Sequence, residues 1–104
     1  MKYNLTIGAF KWVLDDGVSN EVMENNLGLC DYENLTIEIK GGLVEGVRKA
    51  TVLHELGHAF FASAGFDPKE EERVVDIMAA QMLSFLQQNK EFFKNYFLED
   101  VKDI

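Results

Sequence analysis

The two histidines of this chain lie four residues apart in the segment TVLHELGHAFF, and a glutamate follows the first of them. On an α-helix, residues i and i+4 lie one turn apart on one face, so His54 and His58 can both reach one ion at the roughly 2.0–2.1 Å that Zn²⁺ requires. Glu55 projects to the side of that ion, where a carboxylate can take a proton from water that the metal activates. The HExxH spacing therefore predicts one zinc ion on His54 and His58, with Glu55 as the general base of a metallopeptidase.

A catalytic zinc site takes three protein ligands and leaves a further position for water. Because the sequence contains no other histidine, we expect the third ligand to be a carboxylate. If the chain folds back at the glycine after the first helix, an antiparallel second helix places Glu72 level with His58 and Asp76 level with His54. We assign Glu72 as the third ligand, with Asp76 or Glu71 as alternatives. Asp76 is also predicted to accept the second N–H of His54 and so to fix its orientation.

The first forty residues predict a small, mostly antiparallel sheet. Aliphatic, β-branched and aromatic residues alternate roughly in NLTIGAFKWVL, which indicates strand structure with a bulge or a tight turn at Gly8. The segment LGLCDYENLTIEI predicts a hairpin with strands Leu27–Cys30 and Leu35–Ile39. If Leu35–Ile39 forms the sheet edge, an extended substrate can pair with it as an added strand.

Beyond the breaker KGGLVEG, the hydrophobic spacing becomes helical. Residues 44–64 predict a helix that is apolar on nearly all sides and therefore buried. A capping pattern at residues 67–70 predicts a second helix, Pro68 to Gln88. The predicted core stripe of this second helix comprises Val74, Val75, Met78, Met82, Phe85 and Leu86. The final stretch, EFFKNYFLEDVKDI, predicts a C-terminal amphipathic helix, so the fold class is α+β: a sheet, an active-site helix, a glutamate helix in a hairpin with it, and a C-terminal helix.

Composition narrows the class of protein. The 104 residues fit one domain over 1–104, and the formal net charge of −8 argues against a nucleic-acid partner, which requires clustered Lys and Arg. No apolar run approaches the length that spans a bilayer, and the start lacks the pattern of a secretory signal. We therefore expect a cytoplasmic protein with no membrane partner. The HExxH motif adds the expectation that it acts on a peptide or protein. Cys30 is the single cysteine, which excludes an intrachain disulfide.

The segment HELGH followed by the Glu72–Asp76 pair resembles the gluzincin metallopeptidases. More narrowly, LGLCDYENLTIEI, RKATVLHELGHAFF and EERVVDIMAAQMLSFLQQN resemble the compact ImmA/IrrE-like metallopeptidases of phages and prophages. The resemblance implies a small sheet whose edge strand borders the cleft, an active-site helix and a glutamate helix. It also implies that a regulatory protein such as a phage-type repressor is a candidate substrate. We expect the protein to depart from that family in two ways: it carries no appended DNA-binding domain, and the interval between His58 and Glu72 is short.

Other interpretations of the same residues stay open. Tyr32 and Tyr96 are candidate donors to the oxyanion of the reaction, although ordinary packing also explains each of them. The chain could instead be a non-catalytic regulatory or binding module that zinc stabilises and whose acidic surface engages a basic partner. A metal-free α+β interaction domain is a third hypothesis. In a variant of the enzyme hypothesis, the C-terminal stretch occupies the cleft and keeps the enzyme inactive.

Overall fold

The computed structural model describes residues 1–65, 68–94 and 98, with the backbone alone at 68–71, 85 and 92. In these residues four strands form one sheet, a short helix lies between the second and third strands, and the remaining helices follow the sheet, as the α+β prediction requires. The elements in chain order are β1 (Lys2–Ile7), β2 (Phe10–Val18), α1 (Asn20–Met23), β3 (Gly28–Asp31), β4 (Thr36–Lys40), α2 (Glu45–Ser63), α3 (Pro68–Gln88) and α4 (Lys90–Phe93).

The sheet has the strand order β1-β2-β4-β3. Strands β1 and β2 form an antiparallel hairpin whose turn begins at Gly8, where φ is 61°, a value that glycine adopts without strain. Strand β4 pairs antiparallel with β3 and parallel with β2. The condition that Leu35–Ile39 forms the sheet edge is therefore not met. That strand lies inside the sheet because α1 carries the chain across to a parallel pairing, and β1 and β3 are the edges of the described sheet.

The core lies between one face of the sheet and α2. Alternate residues of the strands face the helix, and Ile37 and Ile39 of β4 are fully buried there. The cluster around them comprises Ile7, Trp12, Leu14, Ile37, Ile39 and Ala59. Helix α2 is not buried on every side as its composition suggests, because Val47 and Phe60 are 41% and 42% exposed. It lies across the sheet with one face and against α3 with another.

Helix α3 spans the predicted residues, and its predicted core stripe is confirmed only in part. Val75 of that stripe is buried, as is Ala79 outside it, whereas Val74 and Met82 are 48% and 42% exposed. Val75 packs against Gly57 of α2, so the buried face of α3 is the one that also carries Glu72. The predicted capping pattern includes Asp67, which falls outside the described residues, and so does most of the predicted C-terminal amphipathic helix. Among the described helices, none is both long enough and apolar enough to span a membrane.

Candidate metal centre

Helix α2 presents His54 and His58 on the face that lies towards α3. Their Nε2 atoms are 3.1 Å apart, and the two rings meet edge to face with centroids 4.8 Å apart. The side chain of His58 is 10% exposed and that of His54 is 24% exposed. Both nitrogens that could bind a metal therefore point to one place at the rim of the helix pair.

Helix α3 places Glu72 opposite both histidines. Its Oε1 atom lies 3.1 Å from Nε2 of His54, and its Oε2 atom lies 3.0 Å from Nε2 of His58. Ligand atoms around a tetrahedral zinc ion are roughly 3.3 Å apart, given metal–ligand distances of about 2.0–2.1 Å. The observed separations are close to that value. His54, His58 and Glu72 are thus close enough together to hold one metal ion.

Asp76 contacts the second ring nitrogen of His54. Its Oδ1 atom lies 2.8 Å from Nδ1 of His54, a distance at which a protonated Nδ1 donates a hydrogen bond to the carboxylate. In the neutral ring, Nε2 then carries a lone pair, which is the form that binds a metal. That lone pair faces a Glu72 oxygen at 3.1 Å. Two acceptors this close repel each other unless a cation or a proton lies between them, so the arrangement suits a bound cation.

The close approach of the two helices depends on Gly57. A Cβ atom at this position would lie 2.9 Å from Cγ1 of Val75, which is fully buried in α3. The absence of a side chain at Gly57 therefore lets α3 approach α2 closely. The contact lies between the two histidines along the chain and one turn from Glu72, so it sets the spacing across which the three candidate ligands meet.

Glu55 lies on the other side of His54, under the first residue of β3. It is 8% exposed, and its carboxyl group lines the same depression as the three candidate ligands. Burial raises the pKa of the Glu55 carboxyl, the positive charges that His54 and His58 can carry oppose this, and the negative charge of Glu72 adds to it. A buried carboxyl group with a raised pKa beside a metal site is suited to accept and return a proton.

Two depressions meet at His54 and Glu55. The polar one has a volume of about 370 Å³ and is bordered by β3 and by the candidate ligands. The second, of about 390 Å³, follows α2 towards its N-terminus and has the apolar side chains of Leu27 and Val47 in its wall. Both volumes are in the range of small ligand sites. The two depressions together form an open cleft along the β3 edge of the sheet.

The remaining predicted site residues have different outcomes. Tyr32 borders the polar depression, and its ring also packs edge to face on Trp12 at 6.5 Å, so the structure places it where either interpretation requires it. Tyr96 falls outside the described residues, as does the side chain of Glu71. The sequence analysis missed Gly28, which borders both depressions. A glycine at the first position of a strand is the signal that could have indicated a close approach there.

Comparison of the chain with known protein families, with curated proteins and with solved structures finds no match in any of the three. The functional interpretation therefore depends on the geometry of the site.

Proposed function

We propose that the protein is a zinc-dependent peptidase in which His54, His58 and Glu72 hold one Zn²⁺ ion and Glu55 is the general base. The observation that carries this proposal is the convergence of the three side chains, whose ligand atoms lie within 4.8 Å of one another. Glu55 adds the second requirement of metal-assisted hydrolysis, because its buried carboxyl group opens into the same depression.

Each residue has a distinct role in the proposed reaction. The bound Zn²⁺ would act as a Lewis acid on the scissile carbonyl group and on the attacking water. Glu55 takes a proton from that water and delivers it to the leaving amine. Asp76 keeps the Nδ1 proton of His54 in place, so that Nε2 stays available. Tyr32 is the described candidate for donating a hydrogen bond to the oxyanion.

The edge strand β3 supports a peptide as the substrate. The Lys40 N–H donates to the Leu27 carbonyl oxygen at 2.9 Å, and Leu29 lies opposite Glu38. In an antiparallel pair these alternate positions bond across the strands, so the peptide groups of Gly28 point outwards from the sheet. An extended segment can pair with this edge as an added strand and pass over the metal site. A regulatory protein that presents such a segment is the substrate that the resemblance suggests.

The decisive experiment measures zinc content and peptide hydrolysis together. Wild-type protein, Glu55→Gln and Glu72→Ala are loaded with Zn²⁺, dialysed and incubated with a library of extended peptides that contain aliphatic residues. We expect about one zinc per chain in wild type and in Glu55→Gln, and much less in Glu72→Ala. Hydrolysis should fall by about 10²–10⁴-fold in Glu55→Gln, as for the loss of a general base. Wild-type protein that binds zinc but cleaves no peptide would refute the peptidase proposal.

One observation favours a second candidate function, a zinc-stabilised module without catalysis. The candidate ligands come from both α2 and α3, so a bound ion would tie the two helices together, as structural zinc does in small domains. Under this hypothesis Glu55→Gln retains both the zinc and the biological activity. The same variant therefore separates the two candidates.

A further inference from the structure

Gly28, the first residue of β3, lies against the side chain of Glu55 and leaves no room for a Cβ atom of its own. A Cβ atom at Gly28 would lie 2.8 Å from Cγ and 3.0 Å from Oε2 of Glu55. The same atom would also lie 2.8 Å from Cγ2 of Thr51, one turn earlier in α2. Ordinary carbon contacts lie at 3.4–4 Å, and real Cβ atoms essentially never come closer than 3.0 Å. The strand backbone therefore lies so close to α2 that a side chain at Gly28 would force Glu55, Thr51 or β3 to shift.

The environment of Glu55 depends on this contact. Glu55 is 8% exposed although it lines the cleft, and the backbone of β3 at Gly28 lies against one side of it. Gly28 borders both the polar and the apolar depression, so it stands where a substrate that pairs with β3 would pass. The three candidate ligands lie beyond Glu55, and no atom of theirs is among the three nearest to the added Cβ.

We propose that Gly28 is a positioning residue of the reaction: its backbone, which carries no side chain, packs against Glu55 and holds the carboxylate at the metal site. This inference deepens the proposed peptidase function and rests on it. An added methyl group at Gly28 must displace β3, Thr51 or Glu55 by about 0.6–1.2 Å, the difference between the 2.8 Å contact and an ordinary one of 3.4–4 Å. A misplacement of about 1 Å can lower a rate by about 10²-fold.

The proposal predicts a particular pattern of effects in Gly28→Ala. The turnover number kcat should fall by about 10²-fold, whereas KM and the Kd for Zn²⁺ should stay within about threefold of wild type, since α2 and α3 keep their ligand atoms. Gly46→Ala is the matched control. Gly46 lies near the start of α2, and a Cβ atom there meets no atom of the described residues within 4 Å. This control should leave kcat, KM and the Kd for Zn²⁺ unchanged.

A double-mutant cycle with Glu55→Gln tests whether Gly28 acts through Glu55. In the Glu55→Gln background, Gly28→Ala should lower the residual rate by less than threefold, since the group that it displaces no longer takes the proton. A purely structural role would instead lower the rate equally in both backgrounds.

Thr51→Ser provides a rescue and covers the case in which Gly28→Ala does not fold. It removes the Cγ2 methyl group that the added Cβ would meet and keeps the hydroxyl, which donates to the Val47 carbonyl oxygen at 2.7 Å. In Gly28→Ala/Thr51→Ser the methyl group can move away from Glu55, and we expect kcat to recover at least threefold relative to Gly28→Ala. Where Gly28→Ala does not fold, this double variant is tested alone and should show a reduced kcat with normal zinc binding.

The outcomes separate the inference from the function on which it rests. A wild-type kcat in Gly28→Ala, or zinc loss that parallels the loss of kcat, would overturn the role of Gly28 and leave the peptidase proposal standing. Absence of zinc-dependent hydrolysis in wild-type protein would overturn both.

Discussion

The contact between Gly57 and Val75 gives the sharpest prediction about metal binding. In Gly57→Ala the added methyl group would lie 2.9 Å from Cγ1 of Val75, against an ordinary 3.4–4 Å, so the helices must part locally by about 0.5–1 Å. Glu72 lies one turn before Val75 and would move with it. Its oxygens are now 3.0 and 3.1 Å from the two histidine nitrogens. Because metal–ligand distances tolerate only about 0.2 Å, the affinity for Zn²⁺ should fall by about 10–100-fold.

The stability of the metal-free protein should change less than its metal affinity. Overpacking at this contact destabilises by about 1–3 kcal/mol, and replacing glycine by alanine in a helix returns up to about 1 kcal/mol. Val75→Ala alone removes two methyl groups from a fully buried side chain and should destabilise by about 2 kcal/mol. In the double variant Gly57→Ala/Val75→Ala, the methyl group added at position 57 fills part of the space that the Val75 side chain leaves. The two changes should therefore offset each other by about 1–2 kcal/mol, and zinc affinity should return to within about threefold of wild type.

Two assays measure these effects independently. Competition with a chromophoric chelator gives the Kd for Zn²⁺, and urea unfolding in EDTA gives the stability of the metal-free protein. Gly46→Ala isolates the contribution of helix propensity, because its Cβ atom meets no atom within 4 Å in the part of the chain that the structure describes. Wild-type zinc affinity in Gly57→Ala, or strictly additive effects in the double variant, would refute the reasoning that this contact sets the spacing of the ligands.

Three further predictions concern the charged groups of the site and the metal itself. Burial raises the pKa of Glu55 above its ordinary value of 4.5, so the stability that neutral Glu55 contributes is present below pH 4.5 and is lost as the pH rises through the raised pKa. In EDTA, Glu55→Gln should therefore gain stability relative to wild type between pH 4.5 and 7 in urea unfolding, and a constant difference over this range would contradict the burial argument. Asp76→Ala removes the acceptor for Nδ1 of His54, so the Kd for Zn²⁺ should rise by about 10–100-fold. Asp76→Asn keeps an acceptor oxygen and should raise this Kd by less. Equal effects of the two variants would show that the hydrogen bond does not orient the ring. Zinc at 100 times its Kd should stabilise the protein by about 2.7 kcal/mol and raise its Tm, and a Tm that does not respond to zinc would show that the folded state does not bind it selectively.

The relation between the histidines and Glu72 could be predicted from the sequence because it depends on local geometry. The HExxH spacing places both rings on one face of any α-helix. Folding back at Gly65 then sets the register of the second helix, and Asp76 indeed contacts His54 while Glu72 contacts both histidines. Because few residues separate His58 from Glu72, the second helix has few other registers in which it could pack on the first.

The position of β4 could not be predicted from local patterns. Its alternation of Ile37 and Ile39 with polar residues indicates a strand with one buried face, but it does not say which strands lie beside it. The parallel pairing with β2 is a contact between distant parts of the chain. The core stripe of α3 is confirmed only in part for a similar reason. Val75 belongs to it and is buried, but Val74 and Met82 fit a helical stripe equally well, and the choice among them depends on the partner helix.

The candidate ligands lie close to one another in the sequence, whereas Gly28, which packs on Glu55, lies farther from them. All three ligands lie within the single helical hairpin that runs from His54 to Glu72, and closing so short a loop loses little chain entropy. Gly28 reaches Glu55 only after the β3–β4 hairpin has docked on α2. This contact joins residues that are farther apart in the sequence than the candidate ligands are. We therefore expect the nascent hairpin to capture zinc before the sheet is in place. Refolding would then pass through a species that holds the ion and has no hydrolytic activity.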